Sequence, residues 1–299
     1  MPPRRPAEPI LRRAEGLRRR LDTELVRRGL VPSRDRAQAE IAAGRVMVRG
    51  VPATKAARMV GADDPLALQG PGPRFVSRGG DTLDAALDRF AIDVAGRTAL
   101  DAGASTGGFT DCLLQRGAAH VVAVDVGRGQ LDLRLRLDPR VTVRERTNVR
   151  HLTLAGLADL GDSGDEPPAE PFSLIVADLA FISLRTVAPA LVALAAEGAD
   201  LVLLVKPQFE AGRADASRER GVIRDPRVWA DALRGVIDAY ADHGAAIIGL
   251  MVSPLVGAEG NVEFLAHLVT GAGRPAGSEH AEALVAEVVD MAVSRRTEV

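Results

Sequence analysis

The segment at residues 98–111, TALDAGASTGGFTD, constrains the fold of this chain more than any other. It passes from an apolar stretch through an acidic residue into glycines and small residues, and then into a polar run that can begin a helix. Glycine allows the backbone to turn sharply and lets a ligand come close to the main chain. Because the first N–H groups of a helix have no partner within it, this strand–turn–helix segment predicts a site for a nucleotide-like cofactor.

The sequence from residue 97 onwards predicts an α/β fold. Short apolar runs such as HVVAVDV and LVLLV alternate with helical stretches, which is typical of a parallel, doubly wound sheet. These runs are far too short to span a bilayer, and the first ten residues lack the apolar core of a signal peptide. The single cysteine, Cys112, rules out an internal disulfide. We therefore expect a cytoplasmic protein.

The charge is distributed unevenly along the 299 residues. Residues 1–60 hold 15 Lys and Arg against 6 Asp and Glu, a net +9, whereas the remainder carries a net −11. A basic N-terminal region on an acidic body predicts a polyanionic partner. A merely solvated, arginine-rich surface would have the same composition, so charge by itself leaves both interpretations open.

The N-terminal region predicts a small module of two helices, a strand and a turn. Gly29 can end the first helix, Ser33 is a good N-cap for the second, and Val46 and Val48 alternate as a strand. The segments RLDTELVRRGLVPSR and RAQAEIAAGRVMVRG give this stretch a resemblance to the S4 RNA-binding domain. That resemblance implies binding of structured RNA by its shape and phosphates. The RNA contacts predicted across the chain are Arg18, Arg19, Arg34, Arg36, Arg45, Arg49 and Arg78.

The glycine spacing of the turn narrows the choice of cofactor. A dinucleotide site would show G-x-G-x-x-G, and its absence argues against a nicotinamide-dependent oxidoreductase. The pattern D-x-G-x-x-x-G instead resembles motif I of S-adenosylmethionine-dependent methyltransferases. The resemblance implies that Asp125 binds the ribose hydroxyls and that Asn148 lies near the adenine. The predicted cofactor-binding residues are Asp101, Gly103, Ala104, Ser105, Thr106, Gly107, Asp125 and Asn148.

Two apolar strands end in polar residues, Asp178 and Lys206, which should face the glycine turn because ligands bind at the carboxyl ends of the strands. Lys206 is one of only two lysines, with Lys55, among 38 basic residues. Lysine can shuttle a proton when it is buried, whereas arginine effectively cannot. A chance ion pair is the alternative. Glu263 follows a glycine-rich turn and fits either a catalytic role or charge compensation at a helix N-terminus.

A set of segments in a fixed order resembles the TlyA family over residues 17–268: SRGGDTL, LDAGASTGGFTD, AVDVGRGQL, ERTNVR, VADLAFISL, LLVKPQFEAGR, GVIRDP and GNVEFL. The family joins an S4 domain to an FtsJ-like methyltransferase domain, which implies methylation of a ribose 2′-hydroxyl, with cytidine of ribosomal RNA as the implied target. Its Lys-Asp-Lys-Glu catalytic set maps onto Asp178, Lys206 and Glu263, with Thr82 at the first lysine.

Thr82 leaves several interpretations open. The enzyme could work with three catalytic members, Arg78 could cover the missing charge, or catalysis could be weak or lost. The last case would leave an RNA-binding protein that retains the methyltransferase fold. Another alternative is a membrane-active cytolysin, a role sometimes assigned to relatives. The sequence contains no membrane-spanning segment that would support it.

The predicted organisation follows from these segments. A disordered basic arm (1–15), an S4-like α+β domain (16–68) and a linker (69–75) precede a Rossmann-like class I methyltransferase domain (76–268). Residues 269–299 form an extension with a helix. We expect a monomer that uses S-adenosylmethionine, binds ribosomal RNA or ribosomal subunits, holds no metal and does not enter membranes.

Overall fold

The computed structural model describes residues 18–31, 33–70, 72–159, 170–211, 222–257, 260–271 and 278–297. The predicted N-terminal arm and most of an acidic loop near residue 165 lie outside these ranges. The chain divides into two compact units, residues 1–72 and 73–299.

The first unit packs two helices on short strands around a small apolar core. The side chain of Ser33 accepts a hydrogen bond from the Arg36 N–H at 3.2 Å, which confirms the N-cap prediction. Gly29 has a φ of +67° just beyond the first helix, as expected of the residue that ends it. The elements are β1 (Arg19–Arg20), α1 (Leu21–Arg27), α2 (Arg34–Ala42), β2 (Val46–Val48), β3 (Val51–Pro52), β4 (Met59–Val60) and β5 (Leu66–Leu68).

The second unit contains a seven-stranded sheet with helices on both faces, so the doubly wound α/β prediction is confirmed. Its strands are β6 (Thr98–Ala102), β7 (His120–Val124), β8 (Val141–Arg144), β9 (Phe172–Ala177), β10 (Ala195–Val205), β11 (Ala245–Val252) and β12 (Phe264–Thr270), in the order β11-β12-β10-β9-β6-β7-β8. Its α-helices are α3 (Arg78–Arg89), α4 (Gly108–Gln115), α5 (Leu133–Arg136), α6 (Leu154–Asp159), α7 (Leu184–Leu194), α8 (Pro207–Glu210), α9 (Pro226–Ala241) and α10 (Ser278–Thr297).

The expectation of a purely parallel sheet is wrong for one strand. β12 runs antiparallel to both of its neighbours, β10 and β11, while β6 to β10 pair in parallel. A parallel return requires a crossover of a dozen or more residues, usually with a helix. The connection between Val252 and Phe264 is too short for that, so the chain returns in the opposite direction.

Two apolar layers fix the sheet between its helices. One face packs on α3 and α4, through residues such as Leu87 and Leu113. The other packs on α7, α9 and α10, through Leu191, Trp229 and Val288. The C-terminal helix α10 therefore belongs to the core of this unit. The predicted domain end at residue 268 falls inside β12.

Candidate active site

The glycine turn between β6 and α4 is held by close packing. Gly103 and Gly107 have φ angles of +90° and +96°, which favour glycine. A Cβ at Gly103 would lie 2.4 Å from the Asp178 carbonyl oxygen, and one at Gly107 would lie 2.3 Å from Leu135 Cδ1. The turn thus sits directly against the carboxyl end of β9 and against α5, with no room for larger residues.

Asp101 departs from its predicted role as a cofactor ligand. It is fully buried, and its Oδ2 accepts a hydrogen bond of 2.6 Å from Thr110 Oγ1. Burial raises the pKa of the Asp101 carboxyl to about 7, against the opposing effect of the Thr110 hydrogen bonds. The carboxyl lies beneath the turn and ties the first turn of α4 to the end of β6.

Six of the other predicted cofactor residues line hollows beside the turn. A cavity of about 550 Å³ is lined by Gly103, Ser105, Asp125 and Asn148, together with Asp178. A smaller hollow of about 100 Å³ shares Gly103, Ser105 and Asp178, and its other lining residues include Ala104, Thr106 and Ser77. Gly107 lines neither hollow and contributes to the conformation of the turn. The larger volume is that of a typical small-molecule site.

Asp125 keeps acceptor capacity toward this cavity. Its Oδ2 accepts a hydrogen bond from the Ser105 N–H at 2.8 Å, and its Oδ1 accepts one from the Gly127 N–H at 2.6 Å. A carboxylate offers about four lone-pair positions, so two remain for hydroxyl donors. Asn148 uses its Oδ1 to accept from the Arg150 N–H at 3.0 Å.

The structure brings the two predicted strand-end residues together. Lys206 Nζ lies 2.6 Å from Asp178 Oδ1, and the lysine side chain is 14% exposed. Asp178 also lines the cofactor cavity. The ammonium lies 6.0 Å from the centre of the Phe209 ring, so its remaining surroundings are partly apolar. The pair therefore stands at the wall of the cavity.

Glu263 lies close to this pair. Burial raises the pKa of its carboxyl, the positive charge of Lys206 lowers that pKa, and the negative charge of Asp178 raises it further. A hydrogen bond from Gln208 and the charge of Arg78 also lower the pKa of Glu263. Glu263 is thus a buried carboxylate within reach of the predicted catalytic residues, and it precedes β12 rather than a helix.

Thr82 occupies the second turn of α3 and is buried. Its Oγ1 lies 3.4 Å from the carbonyl oxygen of Arg78, one helical turn earlier. It carries no charge, so the positive charge that the family resemblance implies at this position is absent.

Two residues that the sequence did not single out shape the same edge of the sheet. Phe181 is 92% exposed on the lip of the cavity and has a φ of +64°. Its ring is tilted by 49° against that of Phe209, with the ring centroids 5.4 Å apart. Glu210 is buried and accepts hydrogen bonds from the Ser183 hydroxyl and, at 2.7 Å, from the Leu184 N–H. Glu210 therefore fastens the loop after β10 to the loop after β9. The only sequence signal was their position just after Asp178 and Lys206.

Most predicted RNA contacts in the first unit already have carboxylate partners. Two of these predicted contacts, Arg36 and Arg45, have side chains that are only 23% and 27% exposed. Arg18 donates to the Met59 carbonyl oxygen at 3.2 Å. The ion pairs are Arg19–Glu24, Arg34–Asp22, Arg36–Glu40, Arg45–Glu40 and Arg49–Asp64.

Lys55 and Arg58 differ from these arginines. Both side chains are exposed and line a surface hollow of about 320 Å³, and neither has an acidic partner among the residues that the structure describes. Their charges are therefore available to a polyanion.

Comparison with known proteins matches each of the two units to a known family. Residues 75–270 match the FtsJ-like methyltransferase family, and residues 19–66 match the S4 domain. The chain is 49% identical over 258 residues to the 16S/23S rRNA (cytidine-2′-O)-methyltransferase TlyA of Mycobacterium tuberculosis, which covers 86% of this chain and 92% of the relative. It is 39% identical to Hemolysin A of Brachyspira hyodysenteriae, over 84% of this chain and 99% of the relative.

The fold is also that of a solved structure named "Putative hemolysin from Streptococcus thermophilus". The TM-score is 0.70 at 34% identity, and the match covers 94% of this chain and 99% of the other. Within the described ranges, no helix is long and apolar enough to cross a membrane.

Proposed function

The chain belongs to the TlyA family of FtsJ-like methyltransferases, and from that premise we propose that it methylates a ribose 2′-hydroxyl of ribosomal RNA, at a cytidine. The observation that carries the proposal is the Asp178–Lys206 ion pair at 2.6 Å on the wall of the cavity beside the glycine turn. The proposed substrate puts the reaction in the cytoplasm.

The residues at the turn fit S-adenosylmethionine. Asp125 has two unused acceptor positions for the ribose hydroxyls, and Asn148 lines the same cavity, where it is the proposed neighbour of the adenine. The smaller hollow beside Ser77 and Thr106 has room for the amino-acid end. When bound, the cofactor supplies an electrophilic methyl group that needs in-line placement more than activation.

Lys206 is the proposed base. A ribose hydroxyl is a weak nucleophile until its proton leaves. Lys206 Nζ in its neutral form would accept that proton while the methyl group passes from the sulfonium sulfur of the cofactor, which would leave as a neutral thioether, to the hydroxyl oxygen. Asp178 orients Lys206 through the 2.6 Å contact and then stabilises the ammonium. Glu263 is proposed to help position the lysine electrostatically, since the charge of Lys206 lowers the pKa of Glu263.

Phe181 is the proposed contact for the target nucleobase. Phe181 combines an exposed aromatic ring, packed against a second ring, with a left-handed backbone conformation. This combination costs free energy unless the ring binds a partner. Single-stranded RNA bases stack on such rings. A base stacked there would place its ribose next to Asp178, three residues earlier in the same loop.

The first unit is the proposed anchor on folded RNA. Lys55 and Arg58 supply free positive charge there, and phosphate contacts release counterions. Ribosomal subunits or free ribosomal RNA are the proposed partners, and binding should weaken steeply as salt rises. A flat salt response would contradict this anchor.

Transfer of a tritiated methyl group tests the proposed function. The wild-type protein is incubated with labelled S-adenosylmethionine and with each ribosomal subunit or its naked RNA. Radioactivity in the RNA supports the proposal, provided that alkaline hydrolysis leaves the labelled dinucleotide intact, because a 2′-O-methyl group blocks cleavage. Label in alkali-sensitive nucleotides, or none in RNA, would contradict it.

A further inference from the structure

The first turn of α3 lies directly on the cofactor turn. A Cβ on Gly108 would be 2.2 Å from Ser77 Oγ and 2.9 Å from the Gly80 backbone nitrogen. Ser77 also lines the smaller hollow together with Asp178. Arg78 is the first residue of α3, and its side chain is exposed. The position of the helix therefore brings Arg78 to the edge of the site, where its charge lowers the pKa of Glu263.

The charges of the site do not balance without Arg78. Asp178 and Glu263 contribute two carboxylates, while Lys206 is the one lysine of the second unit and already pairs with Asp178. Glu263 is 9% exposed, and a buried carboxylate without a compensating cation is costly. Of the charges that act on Glu263, Lys206 and Arg78 are the two positive ones identified.

Arg78 and Thr82 are four residues apart in one helix. Residues at this spacing lie on the same face, about 6 Å apart along the axis. An arginine side chain is long enough to span that distance. The guanidinium of a residue at position 78 can therefore reach the place where the ammonium of a lysine at position 82 would lie. Thr82 is buried and directs its hydroxyl to the backbone of Arg78, which leaves that place to the longer side chain.

We propose that Arg78 is the positioning residue that balances and holds Glu263 in place of a lysine at position 82. Because a guanidinium keeps its proton throughout the working pH range, Arg78 supplies a fixed charge and Lys206 alone exchanges protons. The chain is accordingly an active enzyme with three catalytic residues and one substituted cation. This inference rests on the proposed methyl transfer.

The test is a rescue experiment with purified full-length protein. The variants are Arg78→Ala, Arg78→Gln, Arg78→Lys, Thr82→Lys and the double variant Arg78→Ala/Thr82→Lys. Arg89→Ala is the matched control, because Arg89 is the exposed last residue of the same helix. Methyl transfer is measured at saturating RNA and cofactor from pH 5 to 9, with the cofactor Kd and the thermal midpoint for each protein.

We expect Arg78→Ala to slow methyl transfer about 100-fold, which is the usual cost of removing one stabilising charge or donor from a site. Arg78→Gln should match it, and Arg78→Lys should keep most of the rate. The loss of the cation raises the pKa of Glu263, so the acid limb of the rate profile should move to higher pH. Adding Thr82→Lys should recover at least about tenfold, whereas Thr82→Lys alone and Arg89→Ala should stay within about threefold of wild type.

Two results would overturn the inference. One is a double variant no faster than Arg78→Ala, and the other is a gain of tenfold or more from Thr82→Lys in the presence of Arg78. If the wild-type protein methylates RNA and the rescue fails, only the role of Arg78 falls. An inactive wild-type protein would remove the proposed function and this inference with it.

Discussion

The pKa values of the ion-paired carboxyl groups in the first unit and of three buried carboxyl groups in the second unit are shifted in opposite directions. In the first unit, hydrogen bonds from Arg27 and Arg28 lower the pKa of Glu24 to about 2 against the cost of its burial, and Arg20 likewise lowers the pKa of Asp22. In the second unit, burial raises the pKa of Asp101 to about 7, and it also raises those of the Glu210 and Glu263 carboxyls.

The direction of the pKa shift distinguishes carboxyl groups with a structural role from carboxyl groups with a functional role. The acids of the first unit engage arginines in ion pairs, so the net +9 of residues 1–60 overstates the charge that RNA can reach. Asp101, Glu210 and Glu263 of the second unit are instead buried, and perturbed pKa values of buried groups typically accompany function. Each prediction below changes one side of this contrast.

The largest effect is expected from Lys206→Ala. The variant loses the proposed base and leaves the half-buried Asp178 and the buried Glu263 without their lysine, so methyl transfer should fall at least about 1000-fold. The cofactor Kd should change less than threefold, because the turn and Asp125 are untouched. Lys206→Arg tests the proton transfer separately from the positive charge. This variant keeps the ion pair with Asp178 but cannot take up the proton, so its methyl transfer should be nearly as slow as that of Lys206→Ala. Substantial activity in either variant would remove Lys206 from the mechanism.

Asp101→Asn should remove a pH dependence of stability. The folded-state pKa of Asp101 lies above its unfolded value of 3.8, so its contribution to stability is present below about pH 4 and is lost as the pH rises to about 7. The shift corresponds to about 4 kcal/mol at most. The variant should therefore be more stable than wild type at pH 8 and unfold with little pH dependence between 4 and 7.

Fluorescence of the single tryptophan, the buried Trp229, reports unfolding of this unit in denaturant titrations. Identical pH profiles for the variant and the wild type would show that Asp101 is ionised in the folded protein.

Glu24→Gln tests the other side of the comparison. The lowered pKa of Glu24 means that its stabilisation is present above about pH 4.5 and is lost as the pH falls toward 2. The variant should lose about 2 kcal/mol of local stability at pH 7. Hydrogen exchange of amides at residues 18–70 measures it, with the exposed Asp63→Asn as control. Equal exchange in both variants would contradict a structural role for the Glu24 ion pairs.

The smallest effect is expected from Lys55→Ala/Arg58→Ala. Loss of two free charges should weaken RNA binding about tenfold at 0.1 M salt and reduce the salt dependence by a slope of about 1.5. Arg36→Ala/Arg45→Ala is the matched control, since both arginines already pair with Glu40. A larger loss in the control would mean that the ion pairs open on RNA binding.

The sequence predicts the site well where chemistry follows strand ends. The glycine turn, Asp125, Asp178 and Lys206 were predicted because parallel strands bring their carboxyl ends to one edge. Local rules also predicted the Ser33 cap and the end of the first helix at Gly29.

The remaining features depend on partners distant in sequence. No local sequence pattern indicates that Glu210 accepts hydrogen bonds from Ser183 and Leu184, or that the Asp101 carboxyl is buried beneath the turn. The arginine cluster was judged by composition, and the acids that neutralise it lie up to 15 residues away. The reversed β12 follows from a short connection whose geometry the apolar pattern does not reveal.

Nucleoside analysis of methylated RNA tests the central claim most directly. Ribosomal RNA treated with the wild-type protein and S-adenosylmethionine is digested to nucleosides and separated by mass-resolved chromatography, beside RNA treated with Lys206→Ala. The account predicts 2′-O-methylcytidine in the wild-type sample alone. Methylation on a base, or equal 2′-O-methylcytidine in both samples, would contradict it.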